Sequence, residues 1–370
     1  MNNNIFYDQE LDDLVLNFIG DIMFARKIKD KLLTNNTQII SEDIIRIFKA
    51  SDINCGNLES PIVIKSRPIS PSGFFSISKS IDYLKLLNIN ILNIANNHIF
   101  DCGDSGIEET IEILSRNNIK YVGLGKNYEE AYKPEIVKVK NFSVAFFGAT
   151  TNKFITLRKS NYKISFLEEE LVLKEFVRKI KQKVDLTVLI YHGGNEFVPF
   201  PPPSLREKLQ GLLGEVFDVI ITHHPHIIGG YEQNDKGFIW YSLGDFIFDS
   251  DIPSRRRGCI LQLNLTSRKE FNVNVFPTWI NDDLYINIAP PDITQEIKEK
   301  INGFSIYLSE PNYEKGYLFL YLKSLFKFQL GRILFIYKKE GFLSVIRFIL
   351  KRLNVFMVYI YRIIRRKYNE

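Results

Sequence analysis

Histidine occurs at only five positions in this sequence, and all five fall into three short clusters at the ends of apolar segments. The clusters are His98, His192, and His223 with His224 and His226. Neutral imidazole is the commonest side-chain metal ligand and the usual general acid or base near neutral pH. One histidine is more often structural than functional, but five in three such loops favour a shared site. The distribution predicts a metal-assisted hydrolytic centre.

Carboxylate and amide side chains follow three earlier apolar segments in the same manner. Asp21 ends the first segment, Asn57 and Glu59 end the second, and Asn96, Asn97 and Asp101 flank His98 after the third. Asp21 alone would be an ordinary helix N-cap. Three consecutive loops that carry acids, amides or imidazole instead predict ligands at the carboxyl edge of a sheet, where open α/β sheets bind them.

The elements that position these residues are predicted from hydrophobic periodicity. Apolar runs rich in Val, Ile and Phe alternate with segments of helical period, which is the pattern of βαβ units. Strands are predicted at 14–20, 53–56, 90–95, 185–191 and 218–222, and helices at 42–49, 79–87, 106–117, 168–182 and 204–214. Ser105 and Glu108 have the spacing of a capping box at the start of the third helix.

The middle and the end of the body are predicted to contain more β structure. Residues 135–140 and 142–148 form a predicted hairpin, and short strands are predicted at 238–248, 258–265, 271–279 and 284–288. We expect these last strands to form a second sheet that closes the domain. An α/β body with an added antiparallel layer resembles a four-layer sandwich.

Composition and cysteine content limit the class of protein. Hydrophobic residues are 45% and charged residues 25% of the chain, which indicates neither a disordered nor a fibrous protein. Cys55, Cys102 and Cys259 are an odd number of thiols without a CxxC pair, which favours a reducing compartment. No signal-peptide pattern is visible, and no apolar stretch approaches the roughly 20 residues that span a bilayer. These features predict a cytoplasmic protein.

Six short motifs occur in the order found in a known family. They are Gly20-Asp21-Ile22-Met23, Asn57-Leu58-Glu59-Ser60, Ala95-Asn96-Asn97-His98 with Asp101 and Gly103, His192-Gly193-Gly194, His223-His224-Pro225-His226 and Tyr241-Ser242-Leu243-Gly244-Asp245-Phe246. Over residues 14–250 the sequence resembles the CapA family of capsule and poly-γ-glutamate synthesis proteins, within the calcineurin-like metallophosphoesterase superfamily. The resemblance implies an α/β fold, a metallophosphoesterase-like four-layer α/β/β/α sandwich.

The resemblance also implies roles for the site residues. The implied metal ligands are Asp21 and His226 for one ion, Glu59 as the bridge, and Asn97, His192 and His224 for the second ion. His98 would be the acid that faces the leaving group, with Asp101 as its orienting partner. The predicted substrate contacts are Asn57, Asn96 and His223. The implied mechanism is hydrolysis with two divalent ions of the Mn, Fe or Zn class.

Three positions depart from the usual patterns. Met23 stands where the superfamily usually has a histidine, a loss that the CapA pattern shares, and methionine is a poor ligand for hard divalent ions. Asp245 stands where CapA sequences usually carry asparagine, and Gly193 where they carry an aromatic residue. These changes leave the implied ligand set complete but put the identity of the substrate in question.

The end of the chain has a different charge from the body. Residues 315–370 contain 13 Lys or Arg against 2 acids, a net charge of +11, whereas residues 1–314 have a net charge of −6. Apolar and basic residues alternate there at helical spacing, with predicted helix breaks at Gly331 and Gly341. We therefore predict two regions, a domain at 1–290 and a basic amphipathic helical tail at 291–370. The tail suits an anionic membrane surface at the inner face of the cell membrane. Packing on the body or oligomerisation is the alternative, and nucleic acid is the least favoured partner.

These observations lead to one functional hypothesis and two rivals. The hypothesis is a metal-dependent hydrolase of capsule or surface-polymer biosynthesis, acting on a phosphorylated or polymer-linked substrate. The first rival is a non-catalytic scaffold component of a capsule-synthesis complex. The second is a metal-dependent amide hydrolase, because a polarising metal pair attacks carbonyl as well as phosphoryl groups.

Overall fold

The computed structural model describes residues 13–34, 38–152, 160–267 and 270–340, with side chains except at 267 and 327–340. The chain divides into two compact units, Met1–Glu314 and Lys315–Glu370. The predicted boundary after residue 290 stays a prediction; the division observed here keeps residues 291–314 with the first unit.

The first unit alternates strands and helices as the periodicity predicts. The strands are β1 (Leu14–Ile22), β2 (Ile53–Leu58), β3 (Ile62–Val63), β4 (Ser76–Ile77), β5 (Ile91–Asn93), β6 (Lys120–Val122), β7 (Leu124–Gly125), β8 (Glu135–Val139), β9 (Phe142–Thr150), β10 (Lys163–Ile164), β11 (Leu186–His192), β12 (Val219–His223), β13 (Tyr231–Asn234), β14 (Gly237–Tyr241), β15 (Asp245–Ile247), β16 (Arg257–Ser267), β17 (Glu270–Ile280) and β18 (Ile286–Ile288). The helices are α1 (Arg26–Leu33), α2 (Glu42–Lys49), α3 (Ser80–Leu86), α4 (Gly103–Arg116), α5 (Tyr128–Tyr132), α6 (Glu170–Lys181), α7 (Pro203–Leu212), α8 (Pro291–Leu308) and α9 (Tyr313–Glu340).

Two large mixed sheets form the centre of the first unit. The first has the order β18-β17-β16-β1-β2-β5-β6, with β15 also paired to β1, and the second has the order β13-β14-β12-β11-β9-β8. Strands β1, β2, β5 and β6 run parallel to one another in the first sheet, and β9, β11, β12 and β14 do so in the second. Parallel strands need crossover helices, and these helices cover the outer faces of both sheets.

The layers follow from the alternation of side chains along the strands. Phe18 of β1 packs with Val188 and Ile190 of β11 in an apolar core between the two sheets. The opposite face of the first sheet packs against α2 and α4 in a second core. Leu189 lies between Val188 and Ile190 in β11, so its side chain points to the opposite face of the second sheet, away from the first sheet. Helix α6 covers that face and buries its own Leu173 there. The predicted four-layer α/β/β/α sandwich is confirmed.

The predicted make-up of the second sheet is wrong. Strands β16, β17 and β18 extend the first sheet, because β16 pairs antiparallel with β1. The predicted strand 238–248 is broken at Ser242 and Gly244, whose φ angles are 73° and 74°. The chain turns there from β14 in the second sheet to β15 in the first. Local periodicity cannot report this change of sheet.

The predicted start of the third helix is also wrong. Helix α4 begins at Gly103, with Cys102 as its N-cap residue. Ser105 therefore lies inside the helix, and its hydroxyl donates a hydrogen bond to the carbonyl of Cys102. Gly103 has a φ of 64°, which lets the chain pass directly from the turn at 98–102 into the helix.

The second unit begins within α9, which continues without interruption through Gly331, so the predicted break at that glycine is wrong. The predicted break at Gly341 lies outside the described residues. Among the helices of the described ranges, none is both long and apolar enough to cross a bilayer.

Gly20→Ala should destabilise the protein by about 3 kcal/mol, since a β-carbon at this position would overlap the backbone carbonyl of Gly244. Gly20 directly precedes Asp21, so the close approach of two backbones fixes a strand end. Gly303→Ala is the matched control. It lies exposed within α8 with nothing within 4 Å of a new β-carbon, and should stabilise by about 0.5–1 kcal/mol. Urea unfolding measures both, and equal effects would contradict the steric argument.

Candidate metal centre

The carboxyl ends of parallel strands from both sheets meet at one edge of the sandwich. In the first sheet Asp21, Asn57 and Asn93 lie side by side in register. In the second, His192 lies beside His223. The Asn57 amide nitrogen is 3.0 Å from His192 Nδ1, so the two rows are joined directly. The site is therefore shared between the two sheets.

Two groups of metal-ligating side chains lie within this edge and share one residue. The first consists of Asp21, Glu59 and His226, and the second of Glu59, His192 and His224. In each group the ligand atoms lie within 4.8 Å of one another, and all five side chains are buried. The Asn97 side-chain oxygen is 2.7 Å from His192 Nε2, next to the second group. A third group joins His224 and His226 to the exposed Glu196.

Glu59 carries the clearest electrostatic signal. Its side chain is fully buried, and neither carboxylate oxygen accepts a hydrogen bond from any residue that the structure describes. Burial raises the pKa of Glu59 well above its usual range, and the charges of Asp21 and Asp245 raise it further against the opposing charge of His226. A buried carboxylate without donors is costly unless a cation binds it. The residues present therefore fit a divalent metal ion.

Asp21 is held differently. Asn57 donates a hydrogen bond of 2.8 Å to one of its oxygens, and the backbone N–H of His224 donates one of 3.1 Å to the other. Burial acts to raise the pKa of Asp21, but the hydrogen bond and charge of His223 and the charges of His226 and His192 outweigh it and lower that pKa. The carboxylate is thus kept ionised in the protein interior, as a metal ligand must be.

His192 and His224 are held as neutral rings. Burial lowers the pKa of His192 well below its usual value and lowers the pKa of His224 to about 3, with neighbouring imidazoles adding to both shifts. Their ring centroids lie 4.9 Å apart. Neutral imidazole has a lone pair available for coordination.

His226 is oriented by Asp245, which the sequence analysis noted only as a departure from the CapA pattern. Nδ1 of His226 lies 2.8 Å from the Asp245 carboxylate, and its Nε2 lies 3.5 Å from Glu59. Burial raises the pKa of Asp245 to about 6. For His226 burial acts to lower the pKa, but Glu59 and Asp245 raise it well above its usual value. A carboxylate behind a metal-binding histidine fixes the ring and its tautomer.

Asp245→Ala should weaken divalent-metal affinity about 10- to 100-fold, because it removes the acceptor that orients His226. Asp245→Asn keeps an acceptor oxygen and should lose less. Isothermal titration with Mn²⁺ measures both variants. Unchanged affinity in the alanine variant would mean that Asp245 does not position a ligand.

His98 stands at the mouth of the same edge. Its Nδ1 lies 2.8 Å from Asp101, whose carboxylate also accepts a hydrogen bond from the backbone N–H of Phe74. Its Nε2 is 3.9 Å from Glu59, and its side chain is 20% exposed. His98 is thus the most exposed of the five imidazoles, and its free nitrogen faces the buried carboxylate.

The three predicted substrate contacts lie deeper than expected. Asn57 and Asn96 are completely buried, and His223 is 1% exposed. The Asn57 oxygen accepts hydrogen bonds from Asn93 and Asn96, and His223 Nδ1 lies 3.3 Å from Asp21. These contacts give the three side chains a positioning role around Asp21 and His192, and their contact with substrate stays a prediction.

Several residues around the site have backbone conformations that side chains with a β-carbon rarely adopt. The φ angles are 97° at His224, 55° at His226, 73° at Ser242, 63° at Phe197 and 52° at Arg26. Such conformations cost of order 1–3 kcal/mol each and are retained where function requires a particular direction. The sequence contains no local signal for them.

A four-layer α/β/β/α sandwich with buried His, Asp and Glu side chains at the shared strand ends defines an α/β protein with a centre compatible with metal binding. The model of the family described as "Bacterial capsule synthesis protein PGA_cap" matches residues 15–250. The chain belongs to this family, which confirms the resemblance found in the six motifs.

Individual proteins are also similar to this chain over most of its length. The capsule biosynthesis protein CapA of Bacillus anthracis is 25% identical over 285 residues, covering 74% of this chain and 69% of that protein. The PGA biosynthesis protein CapA of Bacillus subtilis (strain 168) is 27% identical over 277 residues, covering 73% of each. Among solved structures, the 5'-nucleotidase of Candida albicans has a TM-score of 0.44 and 11% identity, covering 88% of this chain and 60% of that one.

Proposed function

We propose that the protein is a metal-dependent hydrolase of phosphoesterase type that acts in capsule or surface-polymer biosynthesis. One observation carries the proposal: the buried Glu59 carboxylate, without a hydrogen-bond donor among the described residues, is shared by two groups of potential metal ligands. A purely structural carboxylate at this depth would be expected to have a donor.

The ligand assignment follows the two groups. Asp21, Glu59 and His226 would hold one ion, and Glu59, His192, His224 and Asn97 a second. Bound divalent ions supply Lewis acidity for the attacked group and increase the acidity of water. Met23 is fully buried and offers only a thioether, so the first group has three ligands where the second has four.

The protein's own residues provide proton transfer and positioning. Asp101 lies at Nδ1 of His98 and fixes the ring, so that Nε2 points into the site, where it would donate a proton to a leaving oxygen. Asn57 and Asn96 form the amide network that holds Asp21 and the turn at His98 in place. The surrounding burial lowers the local dielectric and strengthens these interactions.

The biological setting is proposed from the names of the relatives, which are capsule and PGA biosynthesis proteins. The substrate we propose is a phosphorylated or polymer-linked intermediate of such a pathway, handled within a capsule-synthesis complex. An ester and an amide of the same anionic group distinguish phosphoesterase from amide hydrolase activity.

Elemental analysis tests the metal centre. The wild type is expected to retain one to two divalent ions per chain after Mn²⁺ loading, and His224→Ala/His226→Ala should lose them while keeping its far-UV circular dichroism. Glu196→Gln tests whether the exposed member of the third group contributes to metal binding, and we expect this variant to retain metal. A wild type that binds no Mn²⁺ or Zn²⁺ after reconstitution would contradict the proposal. It would favour the alternative of a non-catalytic scaffold component in a capsule-synthesis complex.

We further propose that the tail binds an anionic membrane surface. In the described part of α9 the exposed side chains include Leu318, Phe319, Leu322, Leu325 and Phe326, which share one helical face. The basic excess of residues 315–370 adds attraction to anionic headgroups. Apolar face and positive charge together match an interfacial helix. The cytoplasmic side predicted from the thiols stays a prediction.

Vesicle co-sedimentation of the full chain tests the membrane proposal. Binding is expected to phosphatidylglycerol vesicles, with less binding to phosphatidylcholine and a decrease at high salt. Leu322→Glu/Phe326→Glu should reduce binding several-fold. Leu171→Glu is a matched control, since Leu171 is a similarly exposed leucine on α6, with 82% exposure. Equal loss in the control, or no binding to anionic vesicles, would refute the membrane role.

A further inference from the structure

Three half-buried phenylalanine rings surround the mouth of the metal centre. The Phe74 ring centroid lies 4.5 Å from that of His98, on the first-sheet side. The Phe248 and Phe197 rings lie 4.8 and 6.2 Å from that of His226, on the other side. None of these rings was predicted as part of the site. They form an apolar rim between the buried ligands and the surface.

Two arginines lie against the rings of this rim. The guanidinium carbon of Arg26 lies 4.8 Å from the Phe74 centroid and 5.3 Å from the Phe248 centroid. That of Arg255 lies 3.3 Å from the Phe197 centroid. Each arginine therefore contacts a ring that also lies against a site histidine.

The two guanidinium groups are placed to bind a ligand through the N–H donors at the edge of the guanidinium plane. A guanidinium stacked on an aromatic face keeps its in-plane N–H donors available, and these match carboxylate and phosphate oxygens. Asp249 forms an ion pair with Arg26 and fixes its direction. Burial lowers the pKa of Arg255, the charges of Glu196 and Asp245 act to raise it, and the charge of Arg26 adds a smaller lowering.

Backbone conformation supports a functional placement independently of charge. Arg26 and Phe197 have positive φ angles of 52° and 63°. The site residues His224 and His226 also have positive φ angles. Neither is a glycine, so each conformation is strained. The strain directs one arginine and the ring beneath the other toward the rim.

We propose that Arg26 and Arg255 bind a second anionic group of the substrate, so that the site selects molecules with one anionic group at the metal ligands and another at the rim. This inference rests on the proposed function and names its substrate class: molecules with at least two phosphate or carboxylate groups separated by a short spacer. The two arginines are specificity residues, because the attacked group itself lies at the buried ligands.

A pair of non-hydrolysable probes tests this directly. Propane-1,3-diyl bisphosphonate carries two anionic groups and propylphosphonate carries one, and both are titrated into the Mn²⁺-loaded full chain by calorimetry. Arg26→Gln and Arg255→Gln should each weaken bisphosphonate binding about tenfold or more and leave propylphosphonate binding unchanged. Arg255→Lys should recover part of the loss, since it keeps the charge without the planar fork.

Arg116→Gln is the matched control, an exposed arginine paired with Glu112 at the far end of α4. It also corrects for chelation of Mn²⁺ by the bisphosphonate in solution. Equal weakening of both probes in Arg26→Gln and Arg255→Gln would assign the arginines to the support of the metal centre and overturn the proposal. So would full bisphosphonate affinity in both variants, although metal-dependent propylphosphonate binding would then leave the hydrolase assignment intact. Failure of the wild type to bind either probe in a metal-dependent way would contradict the proposed function and this inference with it.

Discussion

Glu59→Gln should make the metal-free protein more stable, by about 1–3 kcal/mol, while weakening divalent-metal affinity more than about 100-fold. The substitution removes a buried negative charge that has no hydrogen-bond donor among the described residues. It also removes the ligand common to both groups at the metal centre. The two effects have opposite signs because the Glu59 carboxylate would stabilise a bound cation but destabilises the folded protein when no metal is bound.

The stability gain should depend on pH. The folded-state pKa of Glu59 lies above its ordinary value of 4.5, chiefly because of burial. Above the raised pKa the carboxylate is ionised in both states, and the folded state bears the full cost of burying the charge. As pH falls from the raised pKa toward 4.5, the folded protein takes up the proton first and the cost disappears. The advantage of glutamine is therefore largest at high pH and absent below about pH 4.5.

Urea unfolding in EDTA across this pH range measures the gain, and the shift of the melting temperature on adding Mn²⁺ measures metal binding. Glu215→Gln is the control, since this exposed carboxylate pairs with Lys174 and Arg178 on the outer face. It should leave the Mn²⁺ response unchanged. A Glu59→Gln protein that is less stable without metal, or that keeps the full Mn²⁺ shift, would show that Glu59 is not a metal ligand.

His98→Asn should lower kcat about 10²- to 10⁴-fold, with metal content unchanged, because His98 is the proposed proton donor for the leaving group. The loss should depend on the leaving group. Para-nitrophenolate is a weak base that departs without a proton, whereas phenolate requires one. The decrease should therefore be much larger with phenyl phosphate than with para-nitrophenyl phosphate.

Asp101→Asn retains the ring of His98 but weakens the partner on Nδ1, so a smaller loss with the same leaving-group dependence is expected. Kinetics with both esters, together with elemental analysis, separate the roles. An equal decrease with the two esters would assign His98 to substrate positioning. Unchanged turnover in His98→Asn would remove it from the mechanism.

The residues of the site could be predicted from the sequence more completely than the topology of the sheets could. Motifs such as Asn57-Leu58-Glu59-Ser60 and His223-His224-Pro225-His226 lie directly after strands, so the parallel alignment of those strands suffices to bring them together. The layers were also predictable, since burial on both faces of β11 gives a continuous apolar run.

The rest depends on contacts that local sequence does not encode. The pairing of β16 with β1 joins residues about 250 positions apart, and no periodicity reports it. Asp245 was noted for its identity, but its role depends on the direction of His226. Arg26 and Arg255 lie in segments without a motif, and only the folded chain brings them to the same rim. The tail helix crosses Gly331 because one glycine costs a helix only about 1 kcal/mol.

The pairing of β1 with β16 also sets an order of events during synthesis. The first strand emerges from the ribosome with Asp21 at its end, yet its neighbour in the sheet extends to Ser267. Until that segment is made, the edge of β1 from Leu14 to Ile19 has no partner. The first sheet is therefore completed only after β16 is made, when every candidate metal ligand from Asp21 to His226 is already in the chain. Binding of a cation at the proposed centre would then be a late event, coupled to closure of the sandwich.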